Sequence, residues 1–388
     1  MKRVGIMTYH RAKNYGAMIQ SYALISFLKK KYPSVRFEII DYQASAERRY
    51  YLKSIIRNAL KCGLGAARDE LVRNRRMKRF AKSLPLSKMS ITTDSAAKLF
   101  SRIRNKYDLI IVGSDAIFNW RTRVFPTAYF LGEQLGAMKA SYAASAHGMK
   151  YLGESPERIE YCRTALADFD YIGVRDAHTE AFVRHCLPEA RPEHNCDPSL
   201  LLDMENIDYG AAKRKLERAG INPERPIIAV MTADPRIVEP IYERYKGECQ
   251  FVSLYLRNPL IRTHLVDLTP LEWVGVFKYA SLTVTEYFHG TLLSLKNGTP
   301  TVAVDRSDFT KGSEGKIRDV VFNRMGLRDM YYNYSEVRDG TYAARALELA
   351  ERAMSTPMDG RILAAVTAEA ENVAPFVRFM DSFVEDEN

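Results

Sequence analysis

A histidine closes an apolar, β-branched run within Leu282 to Val304, LTVTEYFHGTLLSLKNGTPTVAV, and histidine is the side chain suited to giving and taking a proton near neutral pH. β-Branched residues stop at Thr285. Beyond His289-Gly290-Thr291, the residues Leu292, Leu293 and Leu295 fit a short helix, Gly298-Thr299-Pro300 ends it, and Thr301 to Val304 begins another strand. Open parallel sheets hold ligands beyond the carboxyl ends of their strands, and a helix N-terminus offers free backbone N–H groups. His289, Gly290 and the hydroxyl of Thr291 therefore read as an anion site that also holds a titratable group. The structural alternative is a histidine that merely caps the helix.

Other polar residues fall at similar places. Tyr107 to Val112, YDLIIV, runs into Gly113-Ser114-Asp115, where a carboxylate can orient or deprotonate a sugar hydroxyl, or else N-cap the next turn. Tyr171 to Val174 delivers Arg175-Asp176. An arginine there clamps phosphate or carboxylate bidentately, unless it is spent in an ion pair with its neighbour. Asn14-Tyr15-Gly16 occupies the first strand-to-helix turn, and Lys311 to Val320, KGSEGKIRDV, supplies Lys311, Lys316 and Arg318 as a phosphate loop or a solvated one. The first turn lacks G-x-G-x-x-G, so a dinucleotide is not indicated.

The elements that must position these residues alternate. Strand Val4 to Thr8, a helix over Ala17 to Leu28 and strand Arg36 to Asp41 open the chain as a βαβ unit. Strands at Tyr107–Val112, Lys139–Ala144 and Tyr171–Val174 follow, with a helix over Glu157–Phe169 and another opened by Thr179 and Glu180. A polar helix and a proline-flanked turn between Ile207 and Arg225 mark a boundary, after which Pro226–Thr232 starts a second sheet. Helix Val238–Tyr245, strand Gln250–Leu256 and helix Leu271–Tyr279 lead to the histidine stretch. The expected fold is α/β with two Rossmann-like parallel-sheet domains facing across a cleft. Its parts are an α/β domain at 1–205 with a basic helical insertion near 46–100, a second α/β domain at 206–335, and C-terminal helices at 336–388.

The length, 388 residues, favours two domains, and 46% hydrophobic with 27% charged residues describes a soluble globular chain. No apolar run reaches the span of a membrane helix, and MKRVGIMTYH has no signal-peptide core, so a cytoplasmic location is expected. Cys62, Cys162, Cys186, Cys196 and Cys249 are scattered, which suggests reduced thiols rather than zinc ligands or disulfides. The formal charge of +10 calls for an anionic partner. Arg48 to Arg79 interleaves basic residues with Tyr50, Tyr51, Leu52, Ile55, Ile56 and Leu60, a pattern that suits an amphipathic helix on acidic lipid at the inner face of the cell membrane, or a helix packed on its own domain. No nucleic-acid module accompanies the charge.

Six blocks, NYGAMIQSYAL (Asn14–Leu24), IIVGSDAIFNW (Ile110–Trp120), SYAASAHG (Ser141–Gly148), GVRDAHT (Gly173–Thr179), DPSLLLD (Asp197–Asp203) and TEYFHGTLLSLKNGTPTV (Thr285–Val302), resemble in order and spacing the polysaccharide pyruvyl transferase family. The resemblance implies a two-domain architecture of the glycosyltransferase B type, and transfer of a pyruvyl group from phosphoenolpyruvate to sugar hydroxyls, commonly as a cyclic ketal. It puts the family's histidine at His289 and the arginine of its R-D block at Arg175. Many members carry an arginine just before the histidine, where this chain has Tyr287 and Phe288, so Arg175, Lys311, Lys316 and Arg318 are the candidates for the missing cation.

The expected site thus has His289 and Asp115 as catalytic groups, and Arg175, Asn14, Tyr15, Gly16, Ser114, Gly290, Thr291, Lys311 and Lys316 as binding groups. The expected partners are phosphoenolpyruvate as donor substrate and a glycan acceptor, lipid-linked in one version. Neither cofactor nor metal is called for, because no ligand cluster with metal spacing is visible. The competing readings are a nucleotide-sugar glycosyltransferase of the same architecture and a non-catalytic glycan-binding protein.

Overall fold

The computed structural model describes residues 1–120, 124–132, 134–307, 315–335, 341–357 and 359–386, with backbone alone at 52, 55, 58, 59, 61, 62 and 359. Lys311 lies outside the described residues. The chain divides into two compact units, Met1–Leu202 with Ala370–Asn388, and Asp203–Glu369. The C-terminal helices are therefore shared between the units instead of forming a group of their own.

In the first unit the chain runs β1 (Arg3–Met7), α1 (Tyr15–Lys31), β2 (Arg36–Ile39), β3 (Tyr42–Gln43), α2 (Ser45–Ser83), β4 (Ile91–Thr92), α3 (Ala96–Ile103), β5 (Leu109–Val112), β6 (Met138–Ala144), α4 (Pro156–Ala167), β7 (Tyr171–Val174), α5 (Ala177–Cys186) and β8 (Glu193–His194). Six strands form a parallel sheet in the order β2-β1-β5-β6-β7-β8. Every residue of β5 is buried, as expected of a strand covered on both faces. The strand order reverses between β1 and β5, so the loops after Met7 and Val112 flank the crevice where such sheets take ligands. The single basic helix expected over Arg48–Arg79 is two limbs: α2 breaks at Gly63, whose φ of +81° is a conformation glycine adopts without a Cβ penalty.

The second unit runs α6 (Tyr209–Arg218), β9 (Ile227–Met231), α7 (Pro235–Tyr245), β10 (Gln250–Leu254), β11 (His264–Leu265), α8 (Pro270–Val276), β12 (Leu282–Thr285), α9 (Phe288–Lys296), β13 (Thr301–Asp305), β14 (Tyr331–Asn333), α10 (Tyr342–Ser355) and α11 (Asp359–Ala370). Its parallel sheet has the order β11-β10-β9-β12-β13-β14, and its reversal falls between β9 and β12. The loop expected to reach Val320 instead becomes helical at Lys316 and continues as a π-helical stretch, Arg318–Arg324.

The chain then returns to the first unit as α12 (Ala374–Glu385), which buries Phe376, Met380 and Phe383 in one core with Val4, Ile6, Leu24 and Tyr142. Cys162, Cys186, Cys196 and Cys249 are buried and unbridged, and the side chain of Cys62 is outside the description.

Between β6 and β8 the middle of β7 is packed to its limit. A Cβ on Gly173 would stand 2.0 Å from Asn195 Oδ1 and 2.5 Å from the Ser141 carbonyl oxygen, and the second of these is backbone. Gly173→Ala is predicted to cost about 3 kcal/mol, the upper range for overpacking. The cost would be read as a lower urea midpoint at unchanged slope; an unmoved midpoint would mean that the sheet opens there freely.

Candidate active site

In the first unit the site residues stand on the carboxyl ends of β1, β5, β6 and β7, and a buried arginine ties them together. Arg175, fully buried, follows β7 and donates from Nη1 to Asp197 Oδ2 at 3.0 Å; Asp115 and Asp176 lie 3.9 Å away on other sides. Each carboxylate is held in turn. Asp197 Oδ2 also accepts from Gln20 Nε2 at 2.5 Å, and its Oδ1 accepts from the amide and hydroxyl of Ser199. Asp176 caps α5, accepting from the Thr179 amide and hydroxyl, and takes a further bond from Ser145 Oγ at 2.7 Å. Burial alone would raise the Asp176 pKa, but the charge of Arg175 and the bonds from Thr179 and Ser145 hold it below the ordinary carboxylate value. Asp197, Gln20 and Ser145 are members that residue-type reasoning did not single out, although all three sit inside the recognised blocks.

Asp115 is the partly exposed member, its side chain 23% accessible. Its φ of +77° is a conformation that asparagine and aspartate tolerate better than most residues, and its carbonyl accepts from Ile117 and Ser145. Next to it Ser114 is buried, and its hydroxyl makes no hydrogen bond among the described residues. Asn14 caps α1 by accepting from the Gly16 amide at 2.8 Å, so those two residues are spent on starting the helix, and Tyr15 is buried beside them.

In the second unit His289, Gly290 and Thr291 form the first turn of α9, beyond the carboxyl end of β12. The helix starts one residue before the histidine, and Tyr287 at the cap position offers no side-chain bond to the amides that follow. His289 is buried, its ring edge-on to Phe288. Gly290 lets the helix approach the sheet: a Cβ there would meet Thr285 Oγ1 at 2.8 Å, and that oxygen accepts from the Tyr287 amide. Thr291 turns its hydroxyl back to the Tyr287 carbonyl at 3.1 Å. Lys316 places its ammonium over the Phe288 ring, 5.2 Å from the centroid.

Two features here escaped the sequence reading. Arg306, directly after β13, pairs with Asp234 at 2.9 Å and with Glu286, so charged groups from three adjacent strand ends meet. Tyr255, after β10, packs edge-on to Tyr287 at 5.1 Å with φ at +65°, strained for a bulky residue. The signal for Arg306 was its position just past an apolar strand.

A family model described as polysaccharide pyruvyl transferase matches residues 14–308 of the chain. No curated protein matches it. Among solved structures it is similar to UDP-GlcNAc 2-epimerase from Neisseria meningitidis bound to UDP-GlcNAc, at 10% identity and TM-score 0.59, covering 98% of this chain and 100% of that one. UDP-GlcNAc 2-epimerase from Methanocaldococcus jannaschii is similar at 12% identity and TM-score 0.56, over 98% and 100% of the two chains. A putative UDP-N-acetylglucosamine 2-epimerase from Listeria monocytogenes is similar at 11% identity and TM-score 0.52, over 100% and 97%. These likenesses fix the fold as GT-B-like.

The three-carboxylate shell of Arg175 generates a test of its role. Arg175→Met is predicted to lower stability at pH 7 by about 3–5 kcal/mol, since it strands buried carboxylates. The depressed Asp176 adds stability that is fully present above the unfolded pKa near 3.9 and is lost as pH falls through the folded value. The gap between wild type and variant should therefore narrow below about pH 4 in denaturant titrations. A variant as stable as wild type at pH 7 would mean that the arginine does not hold this cluster.

Proposed function

This chain belongs to the polysaccharide pyruvyl transferase family, and from that premise we propose that it moves the pyruvyl group of phosphoenolpyruvate onto hydroxyls of a cell-surface polysaccharide precursor. The observation that carries the reading is the seat of His289, in the uncapped first turn of α9 at the crossover of the second sheet. A sugar hydroxyl oxygen bonds to carbon two of phosphoenolpyruvate while the methylene takes a proton. The bond from carbon two to the phosphate oxygen then breaks, and inorganic phosphate leaves with the electron pair. A second hydroxyl of the same sugar closes the ketal and gives up its proton.

His289 gives and takes these protons. The N-terminal end of α9, with Lys316 and Arg306, holds the donor's phosphate and carboxylate, taking the place of the arginine that many members carry before the histidine. Lys311 is a further candidate for this role. Within the first unit, Asp115 stands beside Arg175 with its side chain partly exposed, able to orient a sugar hydroxyl. The donor is a substrate, and the scheme needs neither cofactor nor metal.

Phosphate release from phosphoenolpyruvate across lipid-linked and nucleotide-linked sugars tests this reading. His289→Gln should bind the donor within a few fold of wild type, followed by thermal shift, while turnover falls about a hundred to ten thousand fold. A near wild-type rate would reduce the histidine to a helix cap. A thermal shift with a nucleotide sugar and none with phosphoenolpyruvate would favour a glycosyltransferase.

We further propose that the enzyme works in the cytoplasm at the inner face of the membrane. No helix among the described residues is long and apolar enough to cross a membrane. On α2, however, Ile56, Leu60 and Leu64 are 64%, 83% and 84% exposed beside basic residues, which suits peripheral insertion at an acidic surface. Leu60→Ser with Leu64→Ser should release the protein from anionic vesicles in sedimentation, each lost leucine contributing roughly 1.5–3 kcal/mol if fully buried. Unchanged co-sedimentation would leave α2 as an ordinary helical arm.

A further inference from the structure

The first unit carries a cavity of about 420 Å³ that the chemistry above does not use. It lies beside the loop that follows β1, is bordered by Gln43 of β3 and Thr92 of β4, and is walled on the other side by the second limb of α2. Its volume falls within the roughly 300–1,000 Å³ of small-molecule sites.

Its lining is one-signed. Arg11, Lys13, Arg48, Lys78 and Lys82 border it, and no carboxylate does. Asn74, Lys78 and Lys82, each four residues after the last, share one face of the limb. Arg11 is aimed by Asp41, whose two carboxylate oxygens accept from its Nε and Nη2 at 2.6 Å while His10 Nε2 lies 2.9 Å from the same group. Burial and then, less strongly, Arg73 pull the Lys13 pKa down, against the pull of Glu70. An anion beside that ammonium would restore it.

Arg48, Lys78 and Lys82 are exposed, so water solvates their charges, and they set the sign of the cavity's mouth. One observation says that something is missing. The amide of Asn74 has both its oxygen and its nitrogen out of solvent contact, and neither makes a hydrogen bond among the described residues. A buried amide left so is costly, and a ligand oxygen would satisfy its N–H. The charge count sets the ligand's size. A single phosphomonoester brings roughly 1.5–2 negative charges near neutral pH, fewer than the five cations that border the cavity, of which Arg11 is already paired with Asp41.

We propose that this cavity binds the diphosphate of a glycosyl diphosphate, the activated form in which the acceptor sugar arrives. That the ligand is the acceptor rests on the pyruvyl-transfer reading; the anion site itself stands on the cavity. The carrier on the far phosphate is a nucleoside or a polyprenyl chain, and either presents the same group to the same cations.

Inorganic pyrophosphate, titrated calorimetrically into the full chain at 0.15 M salt, should bind one per chain. Lys78→Gln with Lys82→Gln should weaken it at least tenfold and Asn74→Ala several fold, with circular dichroism unchanged. No binding to wild type, or equal binding to the variants, overturns the site. Displacement of pyrophosphate by a uridine diphosphate sugar assigns a nucleotide carrier, displacement by polyprenyl diphosphate in phosphatidylcholine vesicles assigns a lipid carrier, and displacement by neither overturns the glycosyl diphosphate. Displacement by phosphoenolpyruvate would make this a donor site and overturn the proposal. Pyrophosphate binding in a protein that ignores phosphoenolpyruvate would leave the cavity standing and sink the pyruvyl-transfer reading. A phosphoenolpyruvate response without pyrophosphate binding would do the reverse.

Discussion

The first unit depends on one guanidinium with nowhere to go. Arg175 has no solvent exposure, so its charge must be offset from within, and three aspartates from three stretches of chain do so. Asp197 brings in the segment after β8 and, through Gln20, helix α1; Asp176 brings in the ends of β6 and α5; Asp115 brings in the end of β5. One cation therefore registers α1, β5, β6, α5 and the segment after β8 against each other. Removing a carboxylate would leave a buried positive charge uncompensated, so the members of this set depend on one another more than on any surface contact.

Both sheets obey the same topological rule with different furniture. Each reverses its strand order once, and each puts its polar equipment at the carboxyl ends beside that reversal. In the second unit the equipment is a helix N-terminus carrying His289, and the Asp234, Glu286 and Arg306 charges that meet at three adjacent strand ends. In the first it is a basic cavity and a partly exposed aspartate.

Most of this fold could be read from the residues, because fully buried parallel strands such as Leu109–Val112 and Ile227–Met231 are continuous apolar runs that no amphipathic helix imitates. Strand Tyr171–Val174 coincides with its expected bounds for the same reason. Helix starts were less legible. The helix at Phe288 starts without a side-chain cap, after a local turn in which the Tyr287 amide donates to Thr285 Oγ1, and so the histidine lies inside the first turn and not ahead of it. The break at Gly63 was hidden because basic and apolar residues continue at helical spacing on both sides of it. Arg175 illustrates the limit on site residues. Its sequence neighbour Asp176 suggested a local pair, whereas its shortest bond is to Asp197, twenty-two positions on, a contact made only by the sheet. The strand ends that hold Arg306 against Asp234 are likewise far apart in sequence.

The return of the chain to the first unit through α12 has a consequence for biosynthesis. Residues 203–369 are an insertion within the first unit, whose core is closed by Phe376, Met380 and Phe383. A nascent chain leaves the ribosome at about 5–20 residues per second, and domains generally fold as they emerge, the earlier before the later. Here that order is inverted. The inserted unit can close while the surrounding one still shows the apolar floor at Tyr142 and Tyr171, against which Phe376 and Phe379 later pack. For the roughly ten to thirty seconds needed to translate that intervening stretch, the first unit is an open half-core, and that interval is when a holding chaperone would have most to bind.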